Sequence, residues 1–292
     1  MQTMFVRNIT QVDFAYVNHD GAIIGDSVNL NANVTGSVDD AEQVVIDFSA
    51  CKKQIKHIID DTDLGMDHKL VVFNGWSNYS SQVQRDSKFV VDTHQVCVTA
   101  ESSRNVTEID WVGTYELSLV NYLNNMLSAQ LSELHGREVI VECDLNHILA
   151  MPPFVKTFAT FSYAHGLKNS SSYGCQNIAH GHFSYVGVDV MDFTANAQIV
   201  MNNIAKYFHE ALLINKHDVA DGVLAYTGMT RGKFSLDLKR KQHKVIYMDT
   251  DTTVENIVKF VYSLFEQDLK DIGATKLWVS EGLSKGAVVE VK

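Results

Sequence analysis

The stretch Cys175-Gln-Asn-Ile-Ala-His180-Gly-His182 offers one thiol and two imidazoles, and Phe161-Ser-Tyr-Ala-His165 supplies a third imidazole shortly before it. His180 and His182 are two residues apart, so on a β-strand their side chains lie on the same face. A hairpin partner carrying His165 would complete a group of three ligands. The pattern therefore predicts a zinc site beside a reactive cysteine.

Zinc held by three protein ligands, with its fourth position open, is typical of catalytic sites. Cys175 could instead close the shell as a fourth ligand and make the zinc structural, but the segment lacks the paired-cysteine spacing of zinc fingers. The other alternative is that the histidines are ordinary core or surface residues. That alternative would be favoured for a lone histidine, but not for a His-Gly-His pair on an apolar strand. We therefore expect Zn²⁺ as the cofactor.

Composition and charge narrow the class of protein. A chain of 292 residues is long enough for two ordinary domains, and a net charge of −11 with a pI near 5.5 argues against nucleic-acid binding. The basic run at residues 239–244 could meet a polyanionic substrate, but a solvated loop is favoured. No apolar run approaches the roughly 20 residues that cross a bilayer, and no signal-peptide layout is present, so we expect a cytoplasmic protein without a membrane partner. The four cysteines show no scaffold spacing and are expected to be free thiols.

The only two prolines are adjacent, at Pro152-Pro153, and their rigid backbone suits a junction. We therefore expect two domains, residues 1–150 and 151–292. Each half follows one order: two β-rich stretches, a helix, a polar insertion, a second helix and a short strand that carries glutamate. This internal similarity indicates a duplication.

Periodicity and capping residues give the expected elements. In the first half the strands are residues 4–16, 27–36 and 138–142, and the helices are residues 49–61, capped by Asp47, and 115–134, capped by Thr114. In the second half the strands are residues 154–164, 182–191, 276–281 and 287–291. Its helices are residues 195–213 and a helix that Thr252 or Thr253 caps and that runs to about residue 269.

At these residues the chain resembles the 6-pyruvoyl-tetrahydropterin synthase and 6-carboxytetrahydropterin synthase family. The second half carries the motifs Phe161-Ser-Tyr-Ala-His165, Cys175, His180-Gly-His182, Asp251-Thr-Thr-Val-Glu-Asn256 and Trp278-Val-Ser-Glu281. The first half resembles a diverged second copy, matching at Val45-Ile-Asp47-Phe48, at Asp67-His68-Lys69 and more weakly at Glu142.

The resemblance implies an α+β fold, a tandem T-fold of two ββαα-type repeats whose antiparallel sheets form an oligomeric barrel with active sites where units meet. It also assigns roles to single residues. Zinc would lie on His165, His180 and His182, Cys175 would be the catalytic thiol, Asp67 and His68 would be the relay pair, and Glu281 would anchor the pterin ring. We also expect Thr253 and Glu255 to add to that pocket. The alternatives are helix capping for Thr253 and an exposed pair in a turn for Asp67-His68.

Several positions depart from the family pattern. The first half reads Gly25-Asp26-Ser27-Val28-Asn29 where His-Gly-His is expected, and no cysteine precedes it, so we expect that half to bind no zinc. The second half reads Lys216-His217-Asp218 where the Asp-His pair is expected. We therefore predict one composite site, with zinc and Cys175 from the second half and Asp67-His68 from the first, in the same chain or in a symmetry mate. Glu142, taken as the counterpart of Glu281, is interpreted as a relic or a surface carboxylate.

The expected function is a zinc-dependent lyase that converts 7,8-dihydroneopterin triphosphate to 6-carboxytetrahydropterin for 7-deazaguanine (queuosine) biosynthesis. A 6-pyruvoyl-tetrahydropterin synthase, a catalytically inactive pterin-binding protein and a structural zinc module are the alternatives. The expected partners are the pterin triphosphate substrate and further copies of the chain, because an isolated T-fold half leaves strand edges unpaired.

Overall fold

The computed structural model describes residues 1–39, 43–75, 80–83, 89–168, 175, 179–190, 195–228, 231–239 and 243–292. Its strands are β1 (Gln2–Val17), β2 (Ile23–Gly36), β3 (Leu70–Asn74), β4 (Ser80–Val83), β5 (Phe89–Asp92), β6 (Cys97–Ala100), β7 (Val106–Asp110), β8 (Val139–Asn146), β9 (Thr157–His165), β10 (His180–Val190), β11 (Ala211–Asn215), β12 (Val219–Ala220), β13 (Val223–Gly228), β14 (Gly232–Asp237), β15 (Val245–Met248), β16 (Ala274–Glu281) and β17 (Lys285–Glu290). Its α-helices are α1 (Phe48–Asp61), α2 (Tyr115–His135), α3 (Ala195–Phe208) and α4 (Val254–Asp271).

Two of the three sheets have corresponding strands in the same order, and the second has one additional edge strand, β17. The first sheet runs β7-β3-β1-β2-β8 and the second runs β15-β11-β9-β10-β16-β17. In each, a long antiparallel hairpin lies at the centre, β1–β2 in the first and β9–β10 in the second. The mixed helix and strand content fits the expected α+β class.

The expected antiparallel pairing holds for the central hairpins, but each large sheet also contains parallel pairs. β3 pairs parallel to β1 and β7 parallel to β3, and in the second sheet β11 pairs parallel to both β9 and β15. In β1–β3 and β9–β11 the second hairpin strand and a helix lie between the paired strands. In β3–β7 and β11–β15 a long insertion joins the two strands, and parallel neighbours require a long crossover connection of this kind.

The two central hairpins touch where each has a glycine. A Cβ added to Gly25 would lie 1.8 Å from the carbonyl oxygen of Tyr163, and one added to Gly181 would lie 2.4 Å from the Cα of Gly25. Backbones can approach this closely only where side chains are absent. This contact brings the start of β10 against the first sheet.

A third sheet joins the two polar insertions. Its order is β12-β13-β14-β6-β5-β4, and β14 of one insertion pairs antiparallel with β6 of the other. One apolar core lies between the first sheet and helices α1 and α2, and another lies between the second sheet and helices α3 and α4. A third core, which includes Ala15, Leu212 and Phe234, fills the space where all three sheets meet. The two halves are therefore joined by a common core, which fixes residues of one half relative to those of the other.

Local sequence signals locate most of the helices. The Asp47 carboxylate accepts a hydrogen bond from the backbone N–H of Ala50, and the Thr114 and Thr253 hydroxyls accept from Leu117 and Asn256, so the three predicted N-caps are confirmed. Such caps contribute about 1 kcal/mol each. Pro152 and Pro153 fall in the connection between β8 and β9, as predicted.

The predicted helix over residues 195–213 is wrong at its end. Helix α3 stops at Phe208, and Ala211–Asn215 is strand β11. Its apolar run Ala-Leu-Leu-Ile fits a buried strand as well as a helix, and periodicity alone does not separate the two. The chain turns at Glu210, whose φ of 58° lies in the left-handed region.

The basic run is only partly described, because residues 240–242 lie outside the described part of the chain. Lys244, at its end, donates from Nζ to the carbonyl oxygens of Lys206 and His209, both at 3.0 Å. A cation at these carbonyls stabilises the C-terminal end of α3. Lys244 therefore has a structural role.

His243 makes stability depend on pH. Its ring is buried, and burial lowers its pKa to about 4 from an ordinary value near 6.5. Between these values the unfolded chain binds a proton that the folded chain does not, so stability is lost as the pH falls below about 6.5. We expect the wild type to lose about 2 kcal/mol more than a His243→Gln variant between pH 7.5 and pH 5. Urea unfolding at the two pH values measures this, and equal losses would contradict it.

Among the helices that the described residues form, none combines the length and the apolar composition that a membrane-spanning segment requires.

Candidate active site

Three buried imidazoles meet at the end of the β9–β10 hairpin where β9 stops and β10 begins. His165 lies opposite His180 in the strand register, and His182 follows on the same face of β10. The potential ligand nitrogens of the three lie within 4.8 Å of one another, and the Nε2 atoms of His165 and His182 are 3.0 Å apart. The side-chain alternation of a strand therefore produces the cluster that the sequence indicates.

The protonation of His165 suits a metal ligand. Burial, reinforced by neighbouring His182, holds the pKa of His165 well below its ordinary value, so the ring is neutral. Its Nδ1 lies 2.9 Å from the carbonyl oxygen of Thr252 and donates to it, which leaves the Nε2 lone pair facing the cluster. Metal-binding histidines in proteins commonly donate their other ring N–H in this way. The donor set of three imidazole nitrogens thus fits a zinc ion.

Cys175 lies at the side of this cluster. Ligand atoms of Cys175, His68 and His180 all lie within 4.8 Å of one another, and the rings of His68 and His180 have centroids 4.9 Å apart. The carbonyl oxygen of Cys175 accepts a hydrogen bond of 2.6 Å from the backbone N–H of Leu167, which ties the cysteine to the end of the hairpin.

Asp67 and His68 reach the cluster from the first half of the same chain. The Nδ1 of His68 lies 2.5 Å from Oδ2 of Asp67, and His68 adopts a left-handed φ of 53°. Burial alone would lower the pKa of His68, but the charge and hydrogen bonds of Asp67 and Cys175 outweigh it and raise the pKa well above its ordinary value. The pair is thus a charged, oriented imidazole beside a thiol.

The predicted pterin-binding residues occupy different settings. Glu281, at the end of β16, has its Oε1 atom 3.9 Å from the Nε2 atoms of both His165 and His182, and its Oε2 atom 3.5 Å from Nζ of Lys285. Thr253 caps α4 next to Thr252. Glu255 is exposed in the first turn of α4, where a carboxylate stabilises the helix N-terminus.

The strand registers define which positions of the two sheets correspond. Ala15 lies opposite Gly25 in the first hairpin, as Ala164 lies opposite Gly181 in the second. The positions that correspond to His165, His180 and His182 are then Tyr16, Ile24 and Asp26. Ile24 offers no ligand atom, which supports the prediction that the first half binds no zinc.

Asp26 is buried in a network of its own. Its carboxylate accepts hydrogen bonds from the Tyr115 hydroxyl at 2.5 Å and the backbone N–H of Ser27 at 2.8 Å, and its Oδ1 atom lies 2.9 Å from Nε2 of His147. The second sheet has Glu281 at the position of His147, because Leu145 lies opposite Leu30 as Val279 lies opposite Val186. The interpretation of Glu142 as the counterpart of Glu281 is therefore wrong. Glu142 lies opposite Asn33 and is exposed.

The prediction that residues 216–218 correspond to the Asp-His pair is also wrong. The backbone N–H of His68 donates to the carbonyl oxygen of Asp13, and that of Glu210 donates to the corresponding carbonyl of Ser162. His68 and Glu210 share a left-handed φ. The counterpart of Asp67-His68 is thus His209-Glu210, whereas residues 216–218 form a short 3₁₀ turn after β11. The helix predicted over residues 195–213 includes both residues, which is why the sequence did not indicate this correspondence.

Sequence reasoning missed three charged residues around the site. Arg231 donates from Nη1 to the carbonyl oxygen of His68 at 2.5 Å. Lys285 lies 3.7 Å from Asp13, and Asp13 lies 3.3 Å from Nδ1 of His182. An acid within the apolar run Val12-Asp13-Phe14-Ala15 was the one available signal, because a charged residue inside a buried strand requires a partner.

Comparisons with known proteins agree with these motifs. The family model described as 6-pyruvoyl tetrahydropterin synthase matches residues 154–292. Solved 6-pyruvoyl tetrahydropterin synthases of Plasmodium vivax and Plasmodium falciparum are 18% and 17% identical to the chain, each with a TM-score of 0.38, and each match covers 50% of this chain and 90% of the other. A comparison with curated proteins gave no match. The match to the 6-pyruvoyl tetrahydropterin synthase family therefore lies in residues 154–292 of the chain.

Proposed function

We propose that the chain is a zinc-dependent lyase that acts on 7,8-dihydroneopterin triphosphate. One observation carries the proposal: Cys175 and the Asp67-His68 pair lie beside three buried imidazoles within a single chain. An acid–base pair next to a metal-type donor set suits removal of a carbon-bound proton that an adjacent hydroxyl or carbonyl group acidifies. The family match at residues 154–292 supports a pterin as the substrate.

In this proposal Cys175 and His68 carry out different proton transfers. Cys175, as thiolate, takes a carbon-bound proton from the substrate side chain, and His68 exchanges protons with that thiol while Asp67 holds its Nδ1. Bound zinc on His165, His180 and His182 would supply Lewis-acid chemistry at the substrate hydroxyls. Burial keeps His165 neutral for this purpose.

Glu281 is the proposed anchor for the pterin ring. A carboxylate can accept two hydrogen bonds from the amino group and the ring N–H of a pterin, which selects the heterocycle. Because Glu281 lies close to His165 and His182, a pterin ring bound to it would have its side chain near these histidines. Thr253 and Glu255 remain predicted members of the pocket.

We also propose that residues 1–150 and 151–292 are tandem T-fold repeats and that the chain forms a homo-oligomer. The shared strand order of the two large sheets supports the duplication. Edge strands β8 and β17 each expose an apolar side chain, Ile140 and Val288, and edges of this kind favour pairing with another copy. Light scattering of the purified protein measures the number of chains.

Two different products are compatible with the proposed lyase, and an assay distinguishes them. Loss of triphosphate together with acetaldehyde, with one water molecule consumed, gives 6-carboxytetrahydropterin, our expected product, whereas elimination of triphosphate alone gives 6-pyruvoyl-tetrahydropterin. Incubating zinc-loaded protein with the triphosphate and identifying the product by mass spectrometry separates the two. Tight binding of the pterin without any turnover would overturn the proposal and favour a pterin-binding protein.

A further inference from the structure

Asp13 is a buried acid that connects the two halves of the candidate site. It lies on β1 of the first sheet, is 3% exposed, and its Oδ1 atom is 3.3 Å from Nδ1 of His182 in the second. That nitrogen is itself buried and, within the described part of the chain, forms no hydrogen bond of good geometry. Asp13 lies at ion-pair distance from it. A zinc-binding imidazole in proteins is commonly oriented by a carboxylate at its second nitrogen.

Several donors hold the Asp13 carboxylate in this place. The Ser27 hydroxyl donates to Oδ1 at 2.5 Å and the Gln11 side-chain amide donates to Oδ1 at 2.8 Å, while Nζ of Lys285 lies 3.7 Å from Oδ2. These contacts hold the carboxylate in place where it faces His182.

The backbone of the same residue holds the Asp67-His68 pair. The N–H of Asp13 donates to Oδ1 of Asp67 at 2.9 Å, and its carbonyl oxygen accepts from the N–H of His68 at 2.6 Å. One residue of the first half thus contacts a potential metal ligand through its side chain and the relay pair through its main chain. The position of one group is fixed relative to the other by a single buried strand.

We propose that Asp13 is a positioning residue that orients His182 of the other half as a zinc ligand, so that the metal centre is completed across the two halves of one chain. The inference rests on the proposed zinc site. It goes beyond that proposal because it makes zinc affinity depend on a carboxylate that is outside the ligand set and about 170 residues away along the chain.

Asp13→Asn tests this inference without changing the shape of the side chain. Competition with a chromogenic chelator is expected to show zinc bound about 10- to 100-fold more weakly than in the wild type. In Co²⁺-substituted protein the d–d absorption bands should shift, which a general loss of stability would not produce. Asp26→Asn is the matched control, because Asp26 is also a buried carboxylate but contacts His147 and Tyr115 instead of the three histidines. It should change zinc affinity less than about two-fold.

The outcomes separate this inference from the proposed function. A wild type that binds no zinc overturns both, whereas a wild type that binds zinc, with Asp13→Asn unchanged in affinity and spectrum, overturns only the role of Asp13. If Asp13→Asn does not fold, nitrogen NMR of ¹⁵N-histidine in the zinc-loaded wild type decides. Protonated Nδ1 with zinc on Nε2 of His182 supports the inference, and zinc on Nδ1 overturns it.

Discussion

Cys175→Ala is expected to lower kcat for 7,8-dihydroneopterin triphosphate by roughly 10²- to 10⁴-fold, because it removes the proposed proton acceptor. Zinc content should stay near that of the wild type, since the three histidines remain. The rate is measured by mass spectrometry of the product, and the metal by inductively coupled plasma analysis of the same samples. A variant that loses turnover but keeps zinc would show that Cys175 acts in catalysis and that the three histidines alone hold the metal.

Cys143→Ala is the matched control for this variant. Cys143 is also a partly buried free thiol, but it lies on β8, and burial raises its pKa to about 12, so it is an unreactive thiol at neutral pH. Its removal should leave kcat within about two-fold of the wild type. Undiminished turnover in Cys175→Ala would show that the assigned chemistry is wrong. Substantial loss in Cys143→Ala would show that thiol removal acts through stability.

Local sequence patterns predict much of the site because its metal-type residues are close in the chain. The spacing of His180 and His182, with His165 on the preceding strand, determines a cluster through strand alternation and hairpin pairing alone. The N-caps Asp47 and Thr114 were predictable for the same reason, since a cap acts within one turn of its own helix.

Contacts between distant segments could not be predicted in this way. Asp13 meets His182 only because Gly25 and Gly181 let two hairpins touch, and no local pattern specifies which strands of the two halves meet. Arg231 reaches the carbonyl of His68 from an insertion, where spacing carries no such information. The helix prediction through residue 213 is wrong because a buried strand and a buried helix have similar composition. A helix of that length includes His209-Glu210, so the sequence did not indicate that these residues correspond to Asp67-His68.

His180→Ala and chelation of zinc are both expected to abolish turnover without unfolding the chain. His180 belongs to the three-histidine group and also lies beside Cys175, so its loss should reduce bound zinc from about one ion per chain to near zero. The fold should persist, because the β9–β10 hairpin pairs with β11 and β16 and covers an apolar core that includes Phe161, Val186 and Leu277. His217→Ala, which removes an exposed histidine, is the matched control and should keep both zinc and activity.

Circular dichroism and metal analysis of the chelated wild type distinguish a catalytic ion from a structural one. A catalytic ion at one end of a hairpin should leave the far-ultraviolet spectrum unchanged on removal, and one equivalent of Zn²⁺ should restore activity. A structural zinc module predicts the opposite, because its folding free energy comes from the metal. Loss of secondary structure on chelation would therefore contradict the proposed site, since the core beneath the hairpin would then be insufficient to hold the three histidines in place.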